Sequence, residues 1–481
     1  MRFFSRQALG TLLVSLLLSS VTMAEEQSWT SEGTPLVPQV FKITNLLRTL
    51  DLSRPLIREI TSAALLNIAQ EDATEYYYPV DQAYTSHLAH ISAENRKTKE
   101  ALEVIKDPEY YDAEFQYYKI KLSTPLPPGE KLQITVKTSL TNLIRPFPTH
   151  VGQAERQQFV YFGNPFALTA YPSLKQKTTV ITPSSVLEVH EHPEESDLVI
   201  KNNQVTLGPY NEVKPLEHGI FEVQYQLLGP VPHVRHLRRD VEISQWGNNL
   251  AIEEHYNFVN KGAELKGHFS RIEFQRNPMG IREGNGILSL QTQIPKLARD
   301  IYYRDEIGNI STSILTQYPD HTLLTLQPRF PIFGGWNTTY YIGYNTPLDG
   351  YLRQGLSTDS YILKVPIYVP MKETSYDDVE IRVVLPEGAK NVIVQVPFEV
   401  ESVEHSTTKT YMDSAGRYTI TIQAQNLIEE HAQDLLIEYE LASLSYFTKP
   451  FAAATMLLVL FASSMALSRV DFKIGGSTLT K

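Results

Sequence analysis

A mostly β fold, with two tandem sandwich-like domains, few helices and a single C-terminal membrane helix, is the architecture this sequence predicts. Three observations predict it. Apolar residues alternate with period two: Leu132, Ile134 and Val136 share a face of KLQITVKT, and Phe221, Val223, Tyr225 and Leu227 share one of FEVQYQL. The same holds for Val379, Ile381, Val383 and Leu385 in VEIRVVL, and for Val392, Val394, Val396, Phe398 and Val400 in NVIVQVPFEV. Such alternation is the mark of strands with one buried face. Pro and Gly clusters such as PLPPGEK (Pro125 to Lys131) and LPEGAK (Leu385 to Lys390) punctuate the runs as turns do. Helical patterning is confined to Ile91 to Ile105 and Asn426 to Leu436, apart from one uninterrupted apolar run, Phe451 to Leu467.

Residues 1–24 read as a cleavable leader: Arg2 and Arg6 open it, an apolar run follows from Ala8 to Leu18, and small residues stand at Thr22 and Ala24. The body that follows is about 420 residues long, more than one core usually supports, so two domains are expected, at 25–232 and 233–446. A faint internal echo agrees. VITP at Val180 to Pro183 resembles VVLP at Val383 to Pro386, and IFEVQYQL at Ile220 to Leu227 resembles LLIEYEL at Leu435 to Leu441. GPVPHV, Gly229 to Val234, would break strand pairing at the boundary.

The membrane helix is placed at 447–468. At 1.5 Å per residue its apolar run covers roughly 26 Å, close to the thickness of the endoplasmic reticulum bilayer. Lys449 and Arg469 flank it where their stems reach the interfaces. In the tail, 469–481, Arg469, Lys473 and Lys481 outnumber Asp471, which puts the tail in the cytosol and the body in the lumen, a single-pass type I arrangement. Ala452, Ala453, Ala454, Ser463 and Ser464 suit either a helix–helix contact or a lipid-facing helix of marginal hydrophobicity.

A net charge of −11 and a pI near 5.7, with no basic patch interleaved with aromatics, exclude a nucleic-acid binder. The sequence has no cysteine although the leader implies an oxidising compartment. Stability therefore rests on packing, and thiol nucleophiles and cysteine zinc sites are removed from consideration. HExxH, GxSxG and Gly-rich phosphate loops are missing from the sequence. His190 and His192, with Glu194 or Glu195, have the composition of a metal site and equally of a solvated loop. His233 and His236 lie beside Arg235, Arg238 and Arg239, whose charge repels a cation. Of the acidic pairs Glu253–Glu254, Asp377–Asp378 and Glu429–Glu430, only one member each could enter a given site, because neighbours on a strand face opposite ways. No catalytic centre, metal or cofactor is expected. Two sequons, Asn309-Ile310-Ser311 and Asn337-Thr338-Thr339, are expected N-glycosylation sites in a lumenal body.

A set of longer motifs is more specific than any of these: SQWGNNLAIEE (Ser244 to Glu254), LKGHFSR (Leu265 to Arg271), ARDIYYRDEIGNISTS (Ala298 to Ser313), QPRFPIFGGWNTTYYIGYN (Gln327 to Asn345) and LPEGAKN (Leu385 to Asn391). With PFPTHVGQAERQQFVYFGN (Pro146 to Asn164) ahead of them, in order, the chain resembles the ribophorin I family from about Pro125 to the membrane segment. The resemblance implies subunit 1 of the endoplasmic reticulum oligosaccharyltransferase complex, a non-catalytic, single-pass partner with two β-rich lumenal domains. Its polytopic partner subunit transfers a preassembled oligosaccharide from dolichyl diphosphate to Asn in Asn-X-Ser/Thr of nascent polypeptides. The scaffold would hold subunits together and retain nascent chain near the active site, raising the local concentration of sequons. Animal members carry a long tail of helical character; the dozen or so residues here are closer to fungal members and put tail-borne ribosome or translocon contacts in doubt.

Within the motifs, Trp246, Tyr302, Tyr303, Phe333 and Trp336 are candidates for core or interdomain packing, with Gly334 and Gly335 allowing close backbone approach, or for client and glycan contact. Arg304, Asp305 and Glu306 suit structural ion pairs or a partner-facing patch. Two other classes stay open on residues alone: a lumenal lectin or client-binding chaperone with a groove at Trp246 and Trp336, and a hydrolase working with His and Glu.

Overall fold

The computed structural model describes residues 36–111, 114–190, 197–277, 284–410, 413 and 415–469. The expected leader, His192, Glu194, Glu195 and the tail past Arg469 lie outside the described residues. Strand dominates, as the period-two patterns predict; three quoted runs fall on Lys131–Leu140, Phe221–Gln226 and Ser375–Glu387, while the fourth is strand only over Lys390–Gln395, and Val396, Phe398 and Val400 lie in the irregular segment around Pro397, which has no N–H for a ladder.

The strands before Val231 and those after it build the same set of three sheets. The first set has a large sheet ordered Leu198–Lys201, Gln204–Val213, Ser173–Ile181, Phe41–Asp51, Ile57–Asn67, Lys131–Leu140, Leu88–Asn95, Ala101–Leu102. The second has Ser402–Thr408, Arg417–Leu427, Ser375–Glu387, Pro232–Ser244, Asn249–Asn260, Asn337–Thr346, Arg299–Asp305. Taken by their order along the chain, these strands correspond one to one, apart from the two-residue edge at Ala101–Leu102. Each large sheet is antiparallel except at one place, where Phe41–Asp51 runs parallel to Ser173–Ile181 and Pro232–Ser244 runs parallel to Ser375–Glu387. Each also has a bulge at the same point of its leading strand, between Ile43 and Asn45 and between Val234 and His236.

Two smaller sheets cover the inner face of each large one. The four-stranded sheet Val186–His190, Phe221–Gln226, Gln158–Gly163, Arg145–Pro146 repeats as Lys390–Gln395, Asp434–Glu440, Ser360–Pro366, Leu352–Gln354. The three-stranded sheet Ala73–Asp81, Phe115–Leu126, Val104–Tyr111 repeats as Leu290–Pro295, His321–Leu326, Ile314–Gln317. Both sequence echoes thus sit on equivalent strands. Of the 27 tyrosines, many serve as core residues, among them the fully buried Tyr117, Tyr171, Tyr225, Tyr368, Tyr376 and Tyr439, as a chain with only 3 tryptophans needs for its large aromatic surfaces.

Matching the parallel ladders, Leu50 opposite Val180 and Val241 opposite Val383, superposes Arg48 on Arg239. Both arginines point into the core, at inward positions between Leu46 and Leu50 and between Leu237 and Val241. Each is met by a glutamate of the next strand: Arg48 donates from Nε to Glu59 Oε1 at 2.7 Å and from Nη2 to Oε2 at 3.0 Å, and Arg239 Nη1 donates to Glu254 Oε1. Burial disfavours both guanidinium cations, but the paired carboxylate outweighs it and raises each pKa.

Two helix expectations fail. Ile91 to Ile105 is strand Leu88–Asn95, a turn, and the starts of Ala101–Leu102 and Val104–Tyr111. Asn95 Oδ1 accepts from Lys97 N at 3.0 Å and Lys99 has a φ of 60°, so the charged run forms a turn, while Leu88–Asn95 is held by its ladder with Lys131–Leu140. Asn426 to Leu436 closes strand Arg417–Leu427, makes the short 3-10 turn Glu429–His431 and opens strand Asp434–Glu440. Because that turn does not alternate, Glu429 and Glu430 both reach Arg58, at 3.5 and 3.0 Å, against the expectation that only one could enter a site.

The two strand sets meet through a parallel ladder of His150–Val151 with Glu264–Leu265 and through buried polar groups. Asn260, fully buried, donates to Asn285 O at 2.6 Å and Ile332 O at 3.0 Å and accepts from Val231 N and Gly262 N. Gln157 Oε1 accepts from Ala263 N at 2.9 Å. Gly334 lies so close to Ala263 that a Cβ there would meet its carbonyl oxygen at 1.9 Å, which is why FGGW needs its first glycine. The apolar run forms helix Thr448–Arg469, 22 residues, long and apolar enough to cross a membrane and with no buried residue.

Candidate functional site

Alternation along Asn249–Asn260 sends Glu254 inward and its neighbour Glu253 onto the outer face of the seven-stranded sheet. There Glu253 accepts from the Tyr302 hydroxyl and lies 2.7 Å from His255 Nε2. His255 stacks on Tyr341 with centroids 5.0 Å apart, and Arg304 lies 5.1 Å from the Tyr302 ring. The Tyr302 ring covers Gly343, where a Cβ would come within 2.1 Å of it. Partial burial and the Glu253 carboxylate push the Tyr302 hydroxyl up, so it stays a donor.

Asp240 on the adjoining strand completes the patch. Its ligand atom and those of Glu253 and His255 all lie within 4.8 Å of one another, the spacing of a cation site. Asp240 is already bridged by Arg238 at 2.8 Å and Arg382 at 2.6 Å, and Glu253 by Tyr302 and His255. The charges are neutralised in pairs, and two guanidiniums oppose a cation. What the face offers is hydrogen bonding and aromatic stacking.

The other motif residues divide between this face and the inside. Tyr303 is buried edge-on against Tyr340, and burial with the nearby Asp305 carboxylate pushes its hydroxyl up to about 12. Asp305 pairs with Arg329, which holds its carboxyl below the usual range. Phe333 is buried; Trp336 is half-buried among Phe269, Phe330 and Phe333. Trp246 stands at the turn joining Pro232–Ser244 to Asn249–Asn260, 74% exposed. The two sequon asparagines are both exposed; the backbone of Arg304 bridges Asn309, and in the other sequon Thr339 Oγ1 donates to Glu306 Oε1 at 2.6 Å. A shallow depression of about 310 Å³ on this face is lined by His255, Asp305, Glu306, Thr339 and Tyr341.

Of the histidine candidates, His190 is exposed and 2.8 Å from Glu188. His233 is buried between Ser375 and Asp377, at 2.8 and 2.7 Å, and His236 lies 2.7 Å from Asp378. Lys449 reaches back from the helix to the buried Asp413 at 2.6 Å, which Arg417 also approaches at 3.4 Å. Burial works against the Asp413 charge, yet bonds from Lys449 and Thr410 hold its carboxyl down to about 2. Arg48, Arg239, Asn260, Gln157 and Asp413 escaped the reading of the sequence. The two arginines had left a signal, Arg48 standing in register with the inward Leu46 and Leu50 and Arg239 with Leu237, Val241 and Ile243.

These features define a class: a β body of two like strand sets with a pairwise-neutralised outer face, joined to an apolar helix of membrane-spanning length at Thr448–Arg469. Within it, the model of the Ribophorin I family matches residues 41–468, and the chain belongs to that family. It is 30% identical over 448 residues to the dolichyl-diphosphooligosaccharide–protein glycosyltransferase subunit 1 of Caenorhabditis elegans, covering 92% of this chain and 74% of the relative. It is 31% identical over 446 residues to subunit 1B of Arabidopsis thaliana, covering 91% and 94%. Among solved structures, an M1 zinc metallopeptidase from Deinococcus radiodurans matches at a TM-score of 0.25 and 12% identity over 43% of this chain and 48% of that one. Native leukotriene A4 hydrolase from Saccharomyces cerevisiae matches at 0.26 and 8%, over 42% and 32%. Likenesses that low carry no argument about shape or chemistry.

Proposed function

We propose that this chain is a non-catalytic subunit of an oligosaccharyltransferase complex, serving N-glycosylation of Asn-X-Ser/Thr in nascent proteins of the endoplasmic reticulum. The observation that carries the reading is the family match along residues 41–468, with relatives bearing the subunit 1 name over nine-tenths of the chain. The one apolar helix of membrane-spanning length among the described residues supports a membrane anchor, with the two lumenal domains, divided near 232, on one side and a cytosolic segment past Arg469 on the other. The satisfied carboxylates of the outer face support an accessory role, since acid–base work needs a group free to exchange a proton. The body acts as a scaffold beside a polytopic catalytic subunit and retains acceptor polypeptide near it.

Purification of the tagged full-length chain from gently solubilised membranes tests this. Transfer of a lipid-linked oligosaccharide to an Asn-X-Thr peptide by the eluate, with a polytopic chain identified by mass spectrometry, is expected. A lone chain without activity would overturn the subunit reading, and transfer by the lone chain would overturn the non-catalytic one. In the lumenal arrangement Asn309→Gln and Asn337→Gln each remove one glycan's mass from the mature chain; a mass unchanged by both substitutions would refute the use of these sequons.

A further inference from the structure

The entry to the membrane helix is crowded by two loop tips that expose large apolar side chains. The first is the turn bearing Trp246. It shares a depression of about 160 Å³ with Ser445, Thr448, Lys449 and Pro450, and Tyr439 Oη donates to Gln245 Oε1 at 3.2 Å. The second is the loop between Leu352–Gln354 and Ser360–Pro366, whose Leu356 is fully exposed. That loop is tied to the segment leading into the helix: Leu441 N donates to Asp359 O at 2.8 Å, and Ser443 Oγ to Asp359 Oδ1 at 3.4 Å. Ser443–Phe447 is a 3-10 turn, so Ser443 lies roughly 10 Å of rise from the start of the helix at Thr448. The helix base is itself clamped to the body by Lys449 on Asp413.

We propose that Trp246 and Leu356 enter the lipid surface beside helix Thr448–Arg469, so that the body stands on the bilayer at three points. The inference rests on the reading of that helix as a membrane span. A bilayer that begins at Thr448 to Phe451 puts Trp246 at interface depth, because it lines the same depression as Thr448 and Pro450. An amphipathic indole prefers that depth, and an apolar side chain with no protein contact gains by leaving water there. The occupant is lipid because the two tips flank the point where an exposed apolar helix continues from the body. The consequence is a fixed tilt: a body on one helix swivels, whereas a body with two further contacts holds its outer face at a set angle and height.

The sequence without cysteine makes the test direct. Single substitutions Trp246→Cys, Leu356→Cys, Ile307→Cys and Leu458→Cys in the full chain are labelled with an environment-sensitive fluorophore in phosphatidylcholine vesicles containing lipids spin-labelled at shallow or deep acyl positions. Ile307 is the control, an apolar tip 81% exposed at the far end of the same sheet, about 20 Å of strand away. Shallow-lipid quenching at 246 and 356 severalfold above that at 307 is expected, from side chains sunk ~5–10 Å into the boundary. Quenching at 246 and 356 no greater than at 307, or at one tip alone, overturns the mount. A label at 458 that escapes deep quenching overturns the membrane-span reading itself, whereas quenching at 458 without quenching at the tips sinks only this proposal.

Discussion

In the first strand set the Arg48–Glu59 pair lies beside a cavity of about 60 Å³ and the apolar interior forms two clusters, whereas in the second Arg239–Glu254 sits inside one continuous cluster. The strand order, the parallel ladder, the bulge and the inward arginine are common to both. The register locates the difference. Glu59 stands opposite Thr138, and its counterpart Ile252 stands opposite Tyr344, so a threonine occupies the place where the second set has a tyrosine. Tyr344 fills the space beside Arg239; Thr138 lines the cavity beside Arg48. The glutamate has also moved by two residues, since Glu254 aligns with Thr61, and a shift of two keeps it on the inward face. Strand pairing sets the topology, and side-chain volume decides whether the same buried charge is sealed or wet.

The outer faces diverge further. Ile60, Lys137 and Ser92 occupy in the first sheet the places of Glu253, Gly343 and Tyr302 in the second. A stacked, hydrogen-bonded patch therefore exists on one copy only, although both sheets have the same shape.

The comparison breaks most sharply at the arginines. Arg239→Met strands Glu254 in a dry core, and removing one partner of such a pair costs ~3–5 kcal/mol. Arg48→Met is expected to cost about 1 kcal/mol less, because the cavity admits water to Glu59. Denaturant midpoints of the two variants in detergent test the order; equal losses would show that the cavity is irrelevant. Next in size, Tyr344→Thr recreates the first set's cavity in the second and is expected to cost about 3 kcal/mol. It should also lessen the cost of Arg239→Met, and a double-mutant cycle without coupling would refute the sealing role.

The contact between the sets is the next test. His431 packs edge-on against His90 across it, with ring centroids 5.6 Å apart, and against Phe398. Burial, with the neighbouring His90, lowers the His431 pKa from 6.5 to about 4, and burial lowers that of His90 as well. Both rings are neutral when folded, and the unfolded chain binds more protons between about 6.5 and 4. The stability they contribute is complete above pH 6.5 and lost as pH falls through the folded value, at most about 3 kcal/mol for His431. Hydrogen exchange at Ser86 to Ile91 and Ile428 to Gln433 should rise over that window, and His431→Phe should flatten the rise. The smallest effect belongs to the outer face: Gly343→Ala drives Tyr302 off its neighbour at a cost of about 1–2 kcal/mol, while Lys137→Ala at the equivalent place should change stability by less than about 0.5 kcal/mol.

Period-two alternation determined the strands, and with them the outward Glu253 and the inward Glu254, because a pleated chain has only two faces. The apolar run determined one long helix for the same kind of local reason. The helical patterns at Ile91 and Asn426 misled, since pairing with a distant strand and the turns after Asn95 and at Glu429–His431 outweigh weak local propensity. Which strands lie together was decided only in three dimensions. Arg48 looks like a surface residue until Glu59 and the carbonyls of Asn164 and Phe166 converge on it, and FGGW explains itself only when Ala263 is found against Gly334. Burial of a charge or of a bare backbone depends on partners on other strands and loops, and a local pattern holds no record of them.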